Sequence, residues 1–144
     1  MTTTTYKADV IIVGAGLAGL TAAAELLDQN KKVVLIDRDI EKNLGGLAKL
    51  SFGGVCLIDT PYQKKAGIPD SIDLAREDWL RYGEIPETDL WPRRWVDFYV
   101  NESTRWIYSY LDGIGVKFLP VVNWPERGMF VRGNSVPRWH IAWG

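Results

Sequence analysis

The sequence predicts an α/β fold whose first 37 residues form a strand, a helix and a second strand. A short run dominated by β-branched residues, from Ala8 to Val13, is typical of a strand buried on both faces of a parallel sheet. The segment from Leu17 to Asp28 is rich in strong helix formers, and a second β-branched run covers Val33 to Ile36. This order predicts a βαβ unit over residues 8–37.

Each of these elements has a recognisable boundary. The first strand stops at Gly14, and a polar break at residues 30–32 separates the helix from the second strand, which ends on Asp37. Four apolar residues at helical spacing predict the packing side of the helix, namely Leu17, Leu20, Ala24 and Leu27.

Regular patterns are weaker downstream. Periodicity fades over residues 38–60, which we interpret as a glycine-rich loop, and residues 61–144 as a helical and irregular region. Asp70 or Ser71 would cap a helix that ends at about Tyr82.

A further helix would start near Pro92 and end at Asp112. We expect a strand over residues 116–122, interrupted by Pro120, no regular structure over residues 123–144, and a flexible tail over residues 1–7.

Composition argues against several partners. The 144 residues carry a formal net charge of −1 with scattered lysines and arginines, so we expect neither nucleic acid nor an anionic membrane surface as a partner. The single Cys56 has no second cysteine with which to form a disulfide or share a metal site, and no metal is expected. A length of 144 residues predicts one domain. Because neither an apolar leader nor a membrane-length segment is visible, we expect the cytoplasm.

The turn between the first strand and the helix carries the pattern G-x-G-x-x-G. Gly14 would allow the tight turn, Gly16 would let a pyrophosphate approach the backbone, and Gly19 would let helix and strand pack closely. The helix N-terminus offers free N–H groups to the phosphates, and Asp37, about 20 residues further on, would accept hydrogen bonds from ribose hydroxyls. These features indicate a Rossmann-like dinucleotide-binding unit. The alternative is a tight turn that binds no ligand.

The loop decides between NAD and FAD. A nicotinamide domain would normally continue with a helix and a strand after Asp37, whereas here glycines are paired at Gly45-Gly46 and Gly53-Gly54. Bare backbone at two places suits a chain that follows a long cofactor and offers N–H groups to its pyrophosphate and flavin. We therefore expect FAD. Three alternatives stay open: an NAD(P)-dependent dehydrogenase, a non-enzymatic fragment or small subunit that completes a flavin site, and glycines that only form turns.

The residues resemble those of the FAD-dependent oxidoreductases that include fumarate reductase flavoproteins and 3-ketosteroid dehydrogenases. The resemblance lies in V-I-I-V-G-A-G-L-A-G-L-T-A-A, V-V-L-I-D-R-D and G-G-L-A-K-L-S-F-G-G-V. Later stretches, D-S-I-D-L-A-R-E-D-W-L, W-P-R-R-W and G-N-S-V-P-R-W-H-I-A-W-G, resemble bacterial members called FAD-binding dehydrogenases. The resemblance implies a flavoprotein dehydrogenase acting on a C–H bond next to a carbonyl, with a steroid-like ketone as its substrate class.

The resemblance also implies a set of FAD contacts. The pyrophosphate and adenosine would lie on the motif residues, namely Gly14, Ala15, Gly16, Leu17, Ala18 and Gly19. Asp37 would bind the adenine ribose, and Arg38 would flank the adenine. The riboflavin half would follow a second set of residues, namely Gly46, Leu47, Ala48, Ser51, Gly53 and Gly54. Because Leu47 stands where many relatives have Asn or Ser, only backbone contacts are expected there.

The catalytic residues stay unknown at this level. His140 could act as a general acid or contact the flavin, but a structural hydrogen bond is the favoured role. Arg138 could hold a carboxylate or a flavin oxygen, although a surface position or an ion pair is commoner for arginine. Cys56 is expected to be a buried apolar side chain.

Members of the resembled family are several times longer than this chain. We therefore interpret residues 1–144 as the N-terminal part of a single FAD-binding domain, incomplete on its own, because two parallel strands do not make a stable sheet. Seven tryptophans lie between Trp79 and Trp143, and we expect association through the aromatic surface that some of them expose. The complete enzyme would bind FAD and a small-molecule substrate, whereas the chain alone would bind FAD weakly and turn over no substrate.

Overall fold

The structure, a computed structural model, describes residues 4–119 and 126–143. The chain divides between Ser51 and Phe52 into a first and a second compact unit. The first unit has the predicted order of elements: β1 spans Val10–Val13, α1 spans Leu17–Asp28 and β2 spans Val33–Ile36. The two strands are parallel, so the predicted α/β class and its βαβ start are confirmed.

Small residues form the side of α1 that faces the sheet. Gly19, Ala23 and Leu26 are partly withdrawn from solvent, whereas three members of the predicted stripe, Leu17, Leu20 and Leu27, are exposed. The predicted packing side is therefore wrong for this unit. Both sides of α1 are apolar, which is typical of a helix that is covered all round, and spacing alone does not identify the side that meets β1.

The predicted loop over residues 38–60 contains regular structure. Two short 3-10 helices span Glu41–Asn43 and Gly46–Leu50 in the first unit. A three-residue strand, β3, spans Gly54–Cys56 in the second unit. The interpretation of the whole stretch as a loop is thus wrong in part, because elements of three to five residues are too short to show a hydrophobic period.

The second unit contains a three-stranded antiparallel sheet in the order β3-β5-β4. β4 spans Lys117–Phe118 and β5 spans Trp139–Trp143. The expectation of no regular structure near the end of the chain is therefore wrong at β5. The expected strand over residues 116–122 appears as the two residues of β4, and Pro120 lies outside the described residues.

Helices of the second unit follow the prediction more closely. α2 spans Pro61–Lys65 and was not predicted, whereas α3 spans Ile72–Tyr82, as expected. The Ser71 hydroxyl caps α3 by accepting a hydrogen bond from the Leu74 N–H at 3.1 Å. The last predicted helix is divided into α4 at Leu90–Glu102, a π-helical segment at Ser103–Tyr108, and α5 at Ser109–Gly113.

The core of the second unit lies where α3 and α4 pack together. Its buried members are Ile58, Ala75, Val96 and Val100, and Trp79 and Tyr99 cover them from the side. Among the described residues, no helix is both long enough and apolar enough to cross a bilayer.

Candidate functional site

The turn between β1 and α1 has the backbone geometry that its glycines were expected to provide. Gly14 has φ +105°, a value that favours glycine, and its N–H donates to the Ile36 carbonyl at 2.7 Å. A Cβ on Gly19 would lie 1.8 Å from the Gly14 carbonyl oxygen, so helix and strand could not approach as closely with a side chain there. The two predicted roles, a tight turn at Gly14 and close packing at Gly19, are confirmed.

Gly16 differs from both neighbours in the motif. It caps α1 with φ −79° and ψ −176°, an extended conformation that other residues also adopt, and a Cβ there would meet no atom within 4 Å. Neither its conformation nor its packing requires glycine. The space above Gly16 is open to a ligand.

The start of α1 offers free hydrogen-bond donors. The first intrahelical bond runs from the Leu20 N–H to the Gly16 carbonyl at 2.9 Å, so the N–H groups of Leu17, Ala18 and Gly19 have no acceptor within the helix. The parallel bridge between Gly16 and Gly45 engages the Leu17 N–H, so Ala18 and Gly19 supply the free donors. No side chain caps this end, and its first turn contains no acidic residue. Such an end favours an anion both through its N–H groups and through the helix dipole, and a pyrophosphate fits it.

Asp37 lies beside this turn at the end of β2. Its Oδ2 accepts a hydrogen bond from the Ala15 N–H at 2.6 Å, and its Oδ1 accepts one from the Asp39 N–H at 2.8 Å. The Ala15 N–H is the main cause that lowers the pKa of the Asp37 carboxyl, which is therefore ionised at neutral pH. Because each carboxylate oxygen can accept a second hydrogen bond, acceptor capacity for ribose hydroxyls is left. The Ala15 N–H itself is already engaged.

The first paired glycines lie against the motif. The Gly45 N–H donates to the Ala15 carbonyl at 2.8 Å, and a Cβ on Gly46 would lie 3.5 Å from the Gly16 Cα. Gly45 and Gly46 have φ of +98° and +57°, so both adopt the left-handed region. The structure thus brings Gly46 next to Gly16, while the other predicted residues of this unit, Arg38, Leu47 and Ser51, lie at exposed positions and Ala48 is half-buried.

The second paired glycines have structural reasons of their own. Gly53 has φ +74°, and its carbonyl accepts a hydrogen bond from the Ala142 N–H at 2.9 Å. A Cβ on Gly54 would lie 2.3 Å from the Phe52 ring, which packs edge-on against Trp139 with ring centroids 5.6 Å apart. A turn and a ring contact therefore account for these glycines without a ligand, and a flavin contact at Gly53 and Gly54 stays a prediction.

Arg138 is the centre of a buried ion-pair network in the second unit. Its guanidinium donates to Asp70 through Nε and Nη2, at 2.9 and 2.8 Å, and to Asp78 through Nη1 at 2.9 Å. The side chains of both aspartates are fully buried, and that of Arg138 is 3% exposed. Arg81 and the Ser135 N–H and hydroxyl also donate to Asp78. Of the two common roles of arginine, the structure shows the ion pair.

His140 is fully buried and held at both ring nitrogens. Nδ1 lies 2.8 Å from the Arg138 carbonyl, which only accepts, so Nδ1 carries the proton. Nε2 then accepts from the Thr60 hydroxyl at 2.6 Å. Burial lowers the pKa of His140, in keeping with a neutral imidazole. The favoured structural role is confirmed.

Cys56 is not set up as a nucleophile. Burial is the main cause that raises the pKa of its thiol to about 12, so the reactive thiolate is scarce at neutral pH. In the ranges that the structure describes, no group of His, Cys, Asp and Glu side chains could hold a metal ion.

Sequence reasoning missed Asp78 and Thr60 as network members and read Asp70 only as a helix cap. A signal for Asp78 was present, because it lies three residues after the apolar Ala75 and so on the same side of a helix. A carboxylate on the buried side of a helix needs a cationic partner. Thr60 has a local signal as a helix cap, since Pro61 follows it and Gln63 lies three residues on, but its partner His140 is 80 residues away in the sequence.

Comparison with known proteins identifies a family and shows how much of its relatives' length this chain covers. The model of the FAD binding domain family matches residues 9–143. A KsdD-like steroid dehydrogenase of Mycobacterium tuberculosis is 46% identical over 142 residues, which are 95% of this chain and 25% of that protein. A fumarate reductase (cytochrome) of Shewanella frigidimarina is 42% identical over 76 residues, 53% of this chain and 13% of that protein.

A solved structure is similar over nearly the same range. It is that of 3-ketosteroid-Δ4-(5α)-dehydrogenase from Rhodococcus jostii RHA1 in complex with 4-androstene-3,17-dione, with a TM-score of 0.74 at 25% identity. The match covers 96% of this chain and 31% of that one. This chain thus spans a quarter to a third of the length of these steroid-dehydrogenase relatives.

Proposed function

The chain belongs to the FAD binding domain family, and from that premise we propose that it is the FAD-binding portion of a flavin-dependent dehydrogenase. It is related to FAD-dependent oxidoreductases, and FAD is its cofactor. The reaction we propose for the complete protein removes hydrogen from a C–H bond next to a carbonyl. A steroid-like ketone is the proposed substrate class, because the relatives named above include a steroid dehydrogenase and a ketosteroid dehydrogenase.

Within the first unit, we propose that the pyrophosphate binds at the start of α1 and that the adenine ribose binds Asp37. The main support is the glycine at position 16. A Cβ there would meet no atom within 4 Å and its backbone conformation suits any residue, so neither packing nor conformation explains the glycine. The free N–H groups of Ala18 and Gly19 point to the same ligand. Arg38 is proposed to flank the adenine.

The riboflavin half is proposed to contact six further residues, namely Gly46, Leu47, Ala48, Ser51, Gly53 and Gly54. The position of Gly46 supports this proposal, because this glycine lies next to Gly16 and a backbone without a side chain can approach a cofactor closely. Flavin chemistry supplies the hydride transfer, and residues of this chain bind and orient the cofactor. The family match favours FAD over the nicotinamide alternative.

The test is a titration of the 144-residue chain with FAD, ADP and NAD. We expect weak but measurable binding of FAD, and competition by ADP, which shares the pyrophosphate and the adenosine. Gly16→Ala should lower the affinity for FAD and for ADP by about tenfold or more, equivalent to about 1.4 kcal/mol, because the methyl group occupies the phosphate position.

A matched control is Gly113→Ala, since Gly113 also has open space for a Cβ and no positive φ. Both variants should fold like the unmodified chain, as measured by circular dichroism. Equal FAD affinity in the unmodified chain and in Gly16→Ala, or a preference for NAD, would contradict the proposal.

A further inference from the structure

β5 fixes the backbone of the segment around β3. The Gly53 carbonyl accepts from the Ala142 N–H at 2.9 Å, and the Leu57 N–H donates to the Arg138 carbonyl at 3.0 Å. Between these two bonds, Gly54 lies opposite Ile141 and Cys56 lies opposite Trp139. The positions of Gly53 and Gly54 therefore depend on the register in which β5 pairs with β3.

Buried polar contacts set that register. A slip of one residue would move Arg138 by about 3.3 Å and turn its side chain to the other face of the sheet. Its hydrogen bonds to Asp70 and Asp78 would be lost, and both buried carboxylates would lose a charged donor. An apolar contact would tolerate such a shift better, because hydrophobic attraction is not directional.

A hydrogen bond between Thr60 and His140 also holds β5 in this register. The Thr60 hydroxyl donates to His140 Nε2 at 2.6 Å and also accepts the Gln63 N–H at the start of α2. His140 lies directly opposite Val55, the middle residue of β3. The Arg138 carbonyl accepts from both His140 Nδ1 and the Leu57 N–H, so the two contacts meet at one atom.

We propose that Arg138, His140 and Thr60 are positioning residues for the flavin half of the cofactor, because they hold β3 and β5 in the register that places Gly53 and Gly54. The inference rests on the proposed function, in which these two glycines contact the riboflavin half. None of the three side chains touches the cofactor in this scheme. They act through the backbone of β3.

The experiment compares FAD with ADP, because ADP lacks the riboflavin half. Thr60→Val removes the hydroxyl at nearly constant volume, Thr60→Ser restores it, and Arg138→Lys keeps the charge but loses the forked donor geometry. Arg76→Lys is the matched control, since Arg76 pairs with Asp97 at 2.5 Å on the half-exposed surface of the same unit.

We expect Thr60→Val and Arg138→Lys to weaken FAD binding by about tenfold, the size of one lost buried hydrogen bond, with ADP affinity unchanged. Thr60→Ser and Arg76→Lys should keep the original ratio of FAD to ADP affinity. The visible spectrum of bound flavin should shift in the first two variants only. Circular dichroism and urea unfolding identify the variants that remain folded.

Each result has a definite meaning. An unchanged ratio of FAD to ADP affinity in both Thr60→Val and Arg138→Lys, with folded protein, would overturn the inference alone. FAD that binds the unmodified chain no more tightly than ADP would also overturn it, while leaving the nucleotide part of the proposed function in place. Failure of the unmodified chain to bind either ligand would overturn the proposed function as well.

Discussion

The carbonyl oxygen of Gly14 occupies the place where a side chain on Gly19 would begin, since an added Cβ would lie only 1.8 Å from it. Gly14 begins the turn after β1, and Gly19 lies in the first turn of α1. This contact sets the distance between strand and helix at the proposed pyrophosphate site.

Gly19→Ala should therefore destabilise the first unit. The methyl group would meet backbone and not the end of a flexible side chain, so we expect a loss of about 1–3 kcal/mol in the free energy of unfolding. Urea denaturation followed by circular dichroism measures it. Gly16→Ala, with open space around its Cβ, serves as the control, and equal stability of the two variants would refute the steric argument.

The stability of the second unit should fall as the pH drops from about 7 to about 5. Burial lowers the pKa of His140 below its ordinary value of 6.5, so in the interval between the two values the unfolded chain binds a proton that the folded state does not. Stability is then lost as the pH falls through 6.5 toward the folded value. Melting temperatures across this range measure the slope.

Because His140 is the only histidine, the control is direct. His140→Gln, which keeps a polar side chain of similar size, should lower the melting temperature at pH 7 and flatten its dependence on pH. A slope in His140→Gln as steep as in the unmodified chain would assign the effect to other groups.

Removal of the Arg138 side chain should have a much larger effect than removal of a surface arginine. Arg138→Ala leaves Asp70 and Asp78 buried with one partner fewer, and a loss of about 3–5 kcal/mol is typical of a broken buried pair. Arg76→Ala breaks a half-exposed pair and should cost about 1 kcal/mol or less. Chemical denaturation of the two variants side by side would settle the ranking.

Cys56 should react slowly with thiol reagents in the folded chain. Its thiol pKa of about 12 keeps the thiolate fraction very low at neutral pH. Modification by a disulfide reagent should become fast in urea, where the burial that raises the pKa is lost. Fast modification of the native chain at neutral pH would be inconsistent with the buried thiol described above.

An aromatic stripe on α4 is proposed to mediate association. Trp91, Trp95 and Phe98 are exposed at helical spacing, and the Arg94 guanidinium lies 5.1 Å from the centre of the Trp91 ring. We expect Trp95→Gln to reduce self-association at high protein concentration, as measured by sedimentation velocity. Ile114→Gln, an exposed apolar residue outside α4, is the control, and equal effects would argue against a specific role of the stripe.

Elements of the fold that are determined by consecutive residues could be predicted from the sequence. β1, α1 and β2 could be predicted because a β-branched run, a helix-forming run and a glycine motif each occupy consecutive residues. The end of α3 at Tyr82 was predicted, and of the two predicted caps, Asp70 and Ser71, the structure shows Ser71. In all of these cases the physical cause lies within a few residues of its effect.

Elements that depend on distant partners were missed. Gly54–Cys56 becomes a strand because β5, more than 80 residues later, supplies its hydrogen bonds. The side of α1 that meets the sheet is set by the small size of Gly19 and Ala23, which a hydrophobicity pattern does not weigh. The roles of Asp70 and Thr60 likewise depend on Arg138 and His140, which lie far away in the sequence.

The π-helical segment Ser103–Tyr108 bears on how the length of this chain can vary. A π-helical turn contains one residue more than the α-helical turn it replaces, so the side chains after Tyr108 are rotated by about 100° from where a straight continuation of α4 would direct them. Deletion of one residue here would convert the wide turn into an α-helical turn and leave the same α5 side chains facing their present surroundings. Homologues that have a single-residue gap at this point would accordingly keep the same pattern of apolar residues in α5.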